Sequence, residues 1–410
     1  MIETRIPTTI VFLAAIAGLA VADGGHCGSP PASRPSVEAV RPGLHAVDGV
    51  LMKGGRPYRG IGVNYFSAFI RTLARQDDLS YKRGMAALRE KTIPFIRFTP
   101  NGFWAAEWSL YMKDRPRYFA LLDEFVREAE QREIGLIPSF FWFFATVPDV
   151  VGEPVDQWGN PASKTHALMR EYVADVVGRY KDSPAIWAWE FGNEYRLHVD
   201  LPGAEQGKPH VSPKLGTPTT RTARDKLDRA AAECAQREFA RVVRRIDPHR
   251  LLVTGDAMVR NCAFHLMTER RWDLDTPAQT AAMLLRDTPD PYDGISIHLY
   301  PVRDWHFFDP PIDLADLLAI CRDVSVASGK PLFVGEFGAS EELGAEKVRS
   351  YVTKMLDAIV SLRIPLAALW VYDLPMQEGT HNVTTENGRA WMLDAVGEAN
   401  GRIGLDRSSK

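Results

Sequence analysis

The chain has 410 residues, of which 45% are hydrophobic and 25% are charged, so it is long and apolar enough to bury a large core. Its net charge of −3 at pH 7 gives no basic footprint for nucleic acid or for an acidic membrane surface. No CxxC, HExxH, Walker A, GxSxG or GxGxxG motif is present in the sequence. Zinc peptidases, nucleotide-binding enzymes, elbow-serine hydrolases and Rossmann dehydrogenases are therefore disfavoured.

The N-terminus is predicted to be a targeting segment. Arg5 precedes an apolar stretch at 10–21, and Ala20-Val21-Ala22 fits a small-residue cleavage site. The stretch is short for a membrane span, which needs about 20 apolar residues. We expect residues 1–22 to be a signal peptide and the protein to be secreted or periplasmic, with an uncleaved membrane anchor as the alternative.

The rest of the chain divides into three predicted parts. Residues 23–43 are rich in Gly, Pro and Ser, which is typical of a flexible tether. Residues 44–400 are predicted to form one catalytic domain, and residues 401–410 a C-terminal tail. Export permits disulfides but does not require them. Cys27 lies in the tether, where His26 makes lipidation a poor fit, and the other cysteines lack metal-ligand spacing and are expected to be buried thiols: Cys234, Cys262 and Cys321.

The predicted elements begin with a short hairpin at 44–58 that turns at Gly54-Gly55. Beyond it, strand-like and amphipathic helix-like segments alternate. The strand candidates are 59–64, 94–98, 135–141, 185–192, 251–254, 294–298, 331–335 and 366–370. The main helix candidates are 81–91, 117–132, 166–180, 225–246, 314–328 and 345–362. Such alternation indicates a parallel sheet buried on both faces, and eight units favour a single (β/α)8 TIM barrel.

Two connections from strand to helix are long. Residues 195–222 follow the fourth strand candidate, and residues 256–293 follow the fifth and contain a short helix candidate at 279–285. Loops longer than about 15 residues in compact domains are usually functional or disordered. Because barrel active sites form at the carboxyl ends of the strands, we expect both loops to wall a substrate cleft.

Two glutamates stand at strand ends. Glu194 follows the fourth strand candidate in WAWEFGNEYR, and Glu336 follows the seventh in PLFVGEFGAS. A carboxylate just past a buried strand is costly unless it is hydrogen-bonded or used in chemistry. Two carboxylates on one rim are what acid/base cleavage of a glycosidic bond requires. Glu190 is an alternative acid, although the Asn-Glu pair at the strand end favours Glu194.

Other polar and aromatic residues also lie at strand ends. Arg97 sits inside an apolar strand and needs a buried anion, while His298 and Tyr300 share one face of the sixth strand. Asn64 ends the first strand, where it either touches sugar or serves in capping or turn formation. Trp142, at the end of the third, is a candidate sugar platform.

These motifs resemble the clan A glycoside hydrolases, most of all glycoside hydrolase family 5, the cellulase and mannanase family. The resemblance spans roughly residues 44–397 and implies Glu194 as the acid/base and Glu336 as the nucleophile. Arg97 matches the arginine that hydrogen-bonds the nucleophile, and Asn193 matches the residue that binds the sugar 2-hydroxyl. The remaining matches are His298, which helps hold the acid/base region, Tyr300, which contacts the nucleophile, and Trp370, which forms the floor under the cleaved sugar.

The resemblance implies a retaining β-glycosidase that acts on a β-linked polysaccharide or oligosaccharide, β-1,4-mannan or β-1,4-glucan, and that needs neither metal nor organic cofactor. Many cellulase-type members carry a histidine near the third strand end, whereas this chain has FFWFFAT there, so Trp142 favours mannan. Three alternatives stay open: a non-hydrolytic carbohydrate-binding barrel, an exo-acting β-glycosidase of the same clan, and a metal-dependent hydrolase. The last lacks a His/Asp ligand cluster at strand ends. We expect a monomer.

Overall fold

A computed structural model describes residues 41–202, 208–301 and 306–405. The predicted signal peptide, most of the predicted tether and Cys27 lie outside these ranges. The first three strands form a small antiparallel sheet: β1 (Leu44–Val47), β2 (Val50–Lys53) and β3 (Arg56–Pro57). The predicted turn at Gly54-Gly55 joins β2 to β3, and a second turn at Asp48-Gly49 joins β1 to β2. The predicted hairpin is therefore a three-stranded meander.

Eight parallel strands follow. They are β4 (Gly60–Asn64), β5 (Phe95–Phe98), β6 (Gly135–Phe141), β7 (Ala188–Gly192), β8 (Leu251–Val253), β9 (Ile295–Leu299), β10 (Leu332–Phe337) and β11 (Leu366–Leu369). Strands β4 to β8 pair in chain order, as do β9 to β11, and β11 pairs with β4. A bridge between Val253 and Gly294 joins β8 to the segment before β9. The predicted (β/α)8 barrel is confirmed.

Twelve α-helices lie in the described ranges. They are α1 (Ile70–Ala74), α2 (Ser80–Glu90), α3 (Ser109–Lys113), α4 (Arg115–Gln131), α5 (Thr146–Val151), α6 (Lys164–Tyr180), α7 (Arg229–Ile246), α8 (Ala263–Glu269), α9 (Pro277–Arg286), α10 (Leu314–Ser328), α11 (Ala345–Ser361) and α12 (Trp391–Ile403). Side chains of Asp114, Asp228 and Asp313 cap α4, α7 and α10 by accepting a backbone N–H bond. Helix α12 runs on to Ile403, past the predicted domain boundary at 400. Among the described residues, no helix is both long and apolar enough for a membrane span.

The small sheet closes the amino end of the barrel. Leu44 of β1 and Leu51 of β2 are buried against barrel residues near the strand starts, among them Phe95, Trp187 and Phe333. The Leu44 N–H donates to the Trp187 carbonyl at 2.8 Å, which ties β1 to the segment before β7. Because this apolar cluster fills the amino end of the barrel, the carboxyl end is the face where polar side chains can form a site.

Strand β10 differs from its prediction in a way that matters for the site. It continues to Phe337, so Glu336 lies within the strand instead of just past it. The pairing of β10 with β9 shifts register between Val334 and Glu336. Gly335 lies at this shift, and a Cβ there would come within 2.9 Å of His298 Nε2. The glycine lets the bulged strand pass close to that imidazole.

Candidate active site

Arg97 of β5 is fully buried at the carboxyl end of the barrel and joins four side chains. Its Nε donates to Glu190 Oε1 at 2.8 Å, and its Nη2 donates to Asn193 Oδ1 at 2.8 Å. Its Nη1 donates to Asn64 Oδ1 at 2.9 Å and to Glu336 Oε1 at 2.8 Å. Burial opposes the positive charge, but the two carboxylates outweigh it and raise the pKa of Arg97. A buried arginine paired in this way fixes the strand ends around it.

Glu336 is buried and held through both of its oxygens. Oε1 accepts from Arg97, and Oε2 accepts from the Tyr300 hydroxyl at 2.6 Å. Burial, together with the adjacent Glu336 carboxylate, keeps the pKa of Tyr300 well above its ordinary value, so the phenol stays a donor. Two donors from β5 and from the end of β9 thus fix the orientation of this carboxylate.

Glu194 lies in the connection after β7, and its side chain is 29% exposed. Its backbone has a φ of 55°, a left-handed conformation that few residues other than glycine adopt. The Glu194 N–H donates to the Gly255 carbonyl at 3.0 Å, and the Arg196 N–H donates to Asp256 Oδ1 at 3.1 Å. Burial raises the pKa of Glu194, while Arg97 and Arg260 oppose that shift. The segment after β8 therefore fixes the backbone at Glu194, and burial stabilises the protonated form of the Glu194 carboxyl group.

His298 of β9 stands beside both glutamates. Its Nδ1 is 2.8 Å from Glu194 Oε1 and 3.6 Å from Glu336 Oε2. Burial lowers the pKa of His298 to about 3, so the imidazole is neutral near neutral pH. The bond between His298 Nδ1 and Glu194 Oε1 therefore involves a neutral ring, and the tautomer of that ring decides which of the two groups donates.

The two glutamates are close together. One carboxylate oxygen of each lies within 4.8 Å of the other, and a ring nitrogen of His298 lies within the same distance of both. Glutamate and histidine also form metal sites, but here both Glu336 oxygens already accept bonds from Arg97 and Tyr300. A fixed positive charge beside the cluster disfavours a bound cation. The expectation that no metal is needed stays a prediction.

Trp370 directly follows β11 and is half-buried. Its indole N–H donates to Gln377 Oε1 at 2.9 Å. Trp370 and Tyr300 line a cleft of about 490 Å³, whose other walls include Ser340, Glu342, Leu343, Gln377 and His381. No sequence motif marks these wall residues, because they lie in loops after β10 and β11 that carry no recognisable pattern.

Asn64 and Trp142 differ from their sequence-based expectation, whereas the burial of Glu190 agrees with the preference for Glu194 as the acid. Asn64 is fully buried between Arg97 and the Gly335 carbonyl, which accepts from its Nδ2 at 2.9 Å, so its side chain offers no surface for the predicted sugar contact, and these bonds form neither a cap nor a turn. Glu190 is also fully buried, so it cannot protonate a substrate. Trp142 is only 6% exposed, and its ring lies 4.3 Å from Arg97 Cζ. Trp142 therefore packs on the arginine and offers no open sugar platform.

A (β/α)8 barrel with two adjacent carboxyl groups on its carboxyl-end rim is the arrangement of a glycoside hydrolase. The family model described as Cellulase (glycosyl hydrolase family 5) matches residues 99–373, more than half of the chain. The chain therefore belongs to glycosyl hydrolase family 5, as its motifs predict. The matched range contains both glutamates, His298, Tyr300 and Trp370.

Individual relatives match either over a short stretch of the chain or at low sequence identity. The probable mannan endo-1,4-beta-mannosidase F of Aspergillus flavus is 38% identical over 82 residues, which cover 18% of this chain and only 17% of that protein. An endo-1,4-beta-mannanase structure from Rhizomucor miehei has a TM-score of 0.61 at 15% identity, over 89% of this chain and 100% of that chain. An exo-beta-1,4-mannosidase from Opitutaceae bacterium strain TAV5 has a TM-score of 0.55 at 15% identity, over 88% and 63%. At these identities the structural likeness shows the fold alone.

Proposed function

We propose that the protein is a retaining β-glycosidase that cleaves internal β-1,4-linkages of a mannan. The observation that carries this proposal is the approach of the Glu194 and Glu336 carboxyl oxygens to within 4.8 Å. Retaining enzymes hold their two carboxyl groups about 5–5.5 Å apart, whereas inverting enzymes leave about 6.5–9.5 Å for a water molecule. The short distance agrees with the retaining class and favours direct attack by one carboxylate.

The environments of the two glutamates assign the steps. Glu336 attacks the anomeric carbon as Glu194 protonates the glycosidic oxygen, so the bond to the leaving sugar breaks and a glycosyl-enzyme ester forms. Glu194, now ionised, takes a proton from water, and the water oxygen attacks the anomeric carbon and releases Glu336. Arg97 and Tyr300 hold the nucleophile in place. The family resemblance assigns the contact with the sugar 2-hydroxyl to Asn193, next to Glu194.

The choice of mannan as the substrate is supported by similarity to a relative and not by the geometry of the two glutamates. The matched relative from Aspergillus flavus is named as a mannan endo-1,4-beta-mannosidase, although the match covers less than a fifth of it.

The cleft beside Trp370 and Tyr300 has a volume of about 490 Å³, within the range of small-molecule pockets. It is lined by Trp370, which the family resemblance places under the cleaved sugar, and this supports room for a further sugar beside that one. This favours endo action over the exo-acting alternative.

A substrate screen tests the proposal. Purified protein is incubated with β-1,4-mannan, soluble cellulose, xylan and β-1,3-glucan, with Glu336→Ala and Glu194→Gln as matched controls. We expect manno-oligosaccharides from mannan, and a loss of at least about 10³-fold in each variant, because each removes one partner of a coupled pair. Products from another glycan alone would contradict the substrate, and near-normal activity in either variant would contradict the mechanism.

Export is a separate part of the proposal. The charged start, apolar stretch and small-residue site of residues 1–22 support cleavage by a signal peptidase and a secreted or periplasmic protein. The N-terminal sequence of the protein recovered outside the cytoplasm should begin at Asp23. An intact N-terminus in a membrane fraction would favour the anchor instead.

A further inference from the structure

Glu190 is a third carboxylate at the site, and the steps above do not use it. It lies in β7, four residues before Glu194, and is fully buried. Its Oε1 accepts from Arg97 Nε at 2.8 Å, whereas its Oε2 has no hydrogen-bond partner among the described residues. Glu190 and Glu336 therefore share one guanidinium group.

The surroundings of Glu190 contain few other charges. Arg97 in β5 and Glu336 in β10 are the charged groups that act on it most strongly. The nearby Ser139 hydroxyl of β6 donates to the Gly192 carbonyl at 3.0 Å. From the segment after β8, Gly255 packs so closely that a Cβ there would lie 2.8 Å from Glu190 Cδ. Burial raises the pKa of Glu190, and Arg97 opposes the shift. No described side chain supplies a second cation to balance the pair.

One positive charge thus serves two buried carboxylates. The charge of a second carboxylate on the same guanidinium disfavours ionisation of the first, because like charges repel strongly where water is excluded. The charge of Glu190 also makes the ionised Glu336 carboxylate a stronger nucleophile, because Arg97 then stabilises the negative charge of Glu336 less. Glu190 is therefore placed to influence Glu336 without touching the substrate.

We propose that Glu190 is a positioning residue that holds Arg97 in place and, through its negative charge, limits how strongly Arg97 stabilises the Glu336 carboxylate. This inference rests on the proposed hydrolase function and concerns the reactivity of the same site. The charge of Glu190 should therefore affect the acid limb of the pH profile of kcat/KM. That limb reports the ionisation of an essential base in the free enzyme, here the Glu336 carboxylate.

The test is Glu190→Gln, which keeps the side-chain length and an oxygen acceptor for Arg97 Nε but removes the charge. The measurement is kcat/KM against pH with 4-nitrophenyl β-mannobioside, alongside the melting temperature. We expect the acid limb to move to lower pH by about one unit, and the plateau rate to fall about tenfold. The matched control is Glu128→Gln. It removes a buried carboxylate of the outer helix α4 that pairs with Arg132, and it should leave the profile unchanged.

An acid limb that superimposes on that of the unmodified protein, in a folded Glu190→Gln variant, would overturn the inference. Should this variant not fold, Asn64→Asp decides, because Asn64 accepts from the same Arg97 Nη1 as Glu336. An added carboxylate there should move the acid limb to higher pH, and an unmoved limb would overturn the inference. Failure of the unmodified protein to hydrolyse any β-glycan would instead defeat the proposed function.

Discussion

At the scale of single residues, the two glutamates differ in what surrounds them. Glu336 is buried and accepts from both Arg97 and Tyr300, which suits a group that must act as a carboxylate. Glu194 has a side chain that is 29% exposed, and a neutral His298 is its hydrogen-bond partner. Opposite environments of this kind are how one site maintains an acid and a nucleophile at the same pH.

The raised pKa of Glu194 predicts the basic limb of the pH profile. Since Glu194 must be protonated to assist the leaving group, activity should fall as pH rises through that pKa, which burial places above the ordinary range for a glutamate. In Glu194→Gln the basic limb should disappear, and substrates with a 2,4-dinitrophenyl leaving group should retain most of their glycosylation rate. A basic limb that persists unchanged in Glu194→Gln would contradict this assignment.

The sequence predicted the placement of polar groups at the strand ends where a motif marks them. It did not predict the burial of Asn64 and Trp142, although both also lie at strand ends. The reason is that Arg97 engages the amide of Asn64 and one face of the Trp142 ring, so little surface of either reaches the cleft. A single sequence places a residue on a strand but does not reveal which neighbours will cover it.

At the scale of elements, the connections after β7 and β8 hold the acid/base glutamate. Gly255 has a φ of 75°, and a Cβ there would meet the Gly192 carbonyl oxygen at 1.9 Å. The Gly255 carbonyl also accepts from the Glu194 N–H. Close backbone approach at this glycine therefore sets where Glu194 lies.

Gly255→Ala should lower both stability and activity. Left-handed strain of about 1–3 kcal/mol adds to the clash with the Gly192 carbonyl, so the connection must shift and carry Glu194 with it. Gly178→Ala is the matched control, because Gly178 lies within α6 with open space around its Cβ position and should be neutral or slightly stabilising. Thermal unfolding and kcat/KM check both, and unchanged values for Gly255→Ala would contradict the argument.

The cleft beside Trp370 predicts a preference for longer glycones. Gln377→Ala and His381→Ala should lower kcat/KM for 4-nitrophenyl β-mannobioside about tenfold more than for 4-nitrophenyl β-mannoside, because both side chains line the space beyond the cleaved sugar. Met376→Ala is the matched control, since Met376 is 81% exposed and does not line the cleft. Equal losses on both substrates would show that these residues do not hold a second sugar.

The elements themselves follow from the sequence to within a few residues. Runs such as 135–141 and 314–328 end where predicted, because apolar residues and turn residues mark both limits. The continuation of β10 to Phe337 was not predictable, since it depends on the register shift at Gly335 against β9. The walls of the cleft were also unpredictable, because loop residues are placed by tertiary contacts and not by periodicity.

At the scale of the whole molecule, the two ends of the barrel divide stability and chemistry. The amino end is closed by β1 to β3 over an apolar cluster, while the carboxyl end gathers Arg97, His298, Tyr300 and the two glutamates. The alternation of strand and helix along the chain was sufficient to predict this architecture. The export of the protein and its expected monomeric state stay predictions.

The most direct test of the account is covalent trapping of the nucleophile. The protein is treated with 2-deoxy-2-fluoro-β-mannosyl fluoride, and in parallel with the gluco reagent, and the labelled peptide is identified by mass spectrometry. The account predicts an ester on Glu336 from the mannosyl reagent, because Glu336 attacks the anomeric carbon while Glu194 donates the proton. A label on Glu190 or Glu194, or no label from either reagent in a protein that hydrolyses mannan, would contradict it.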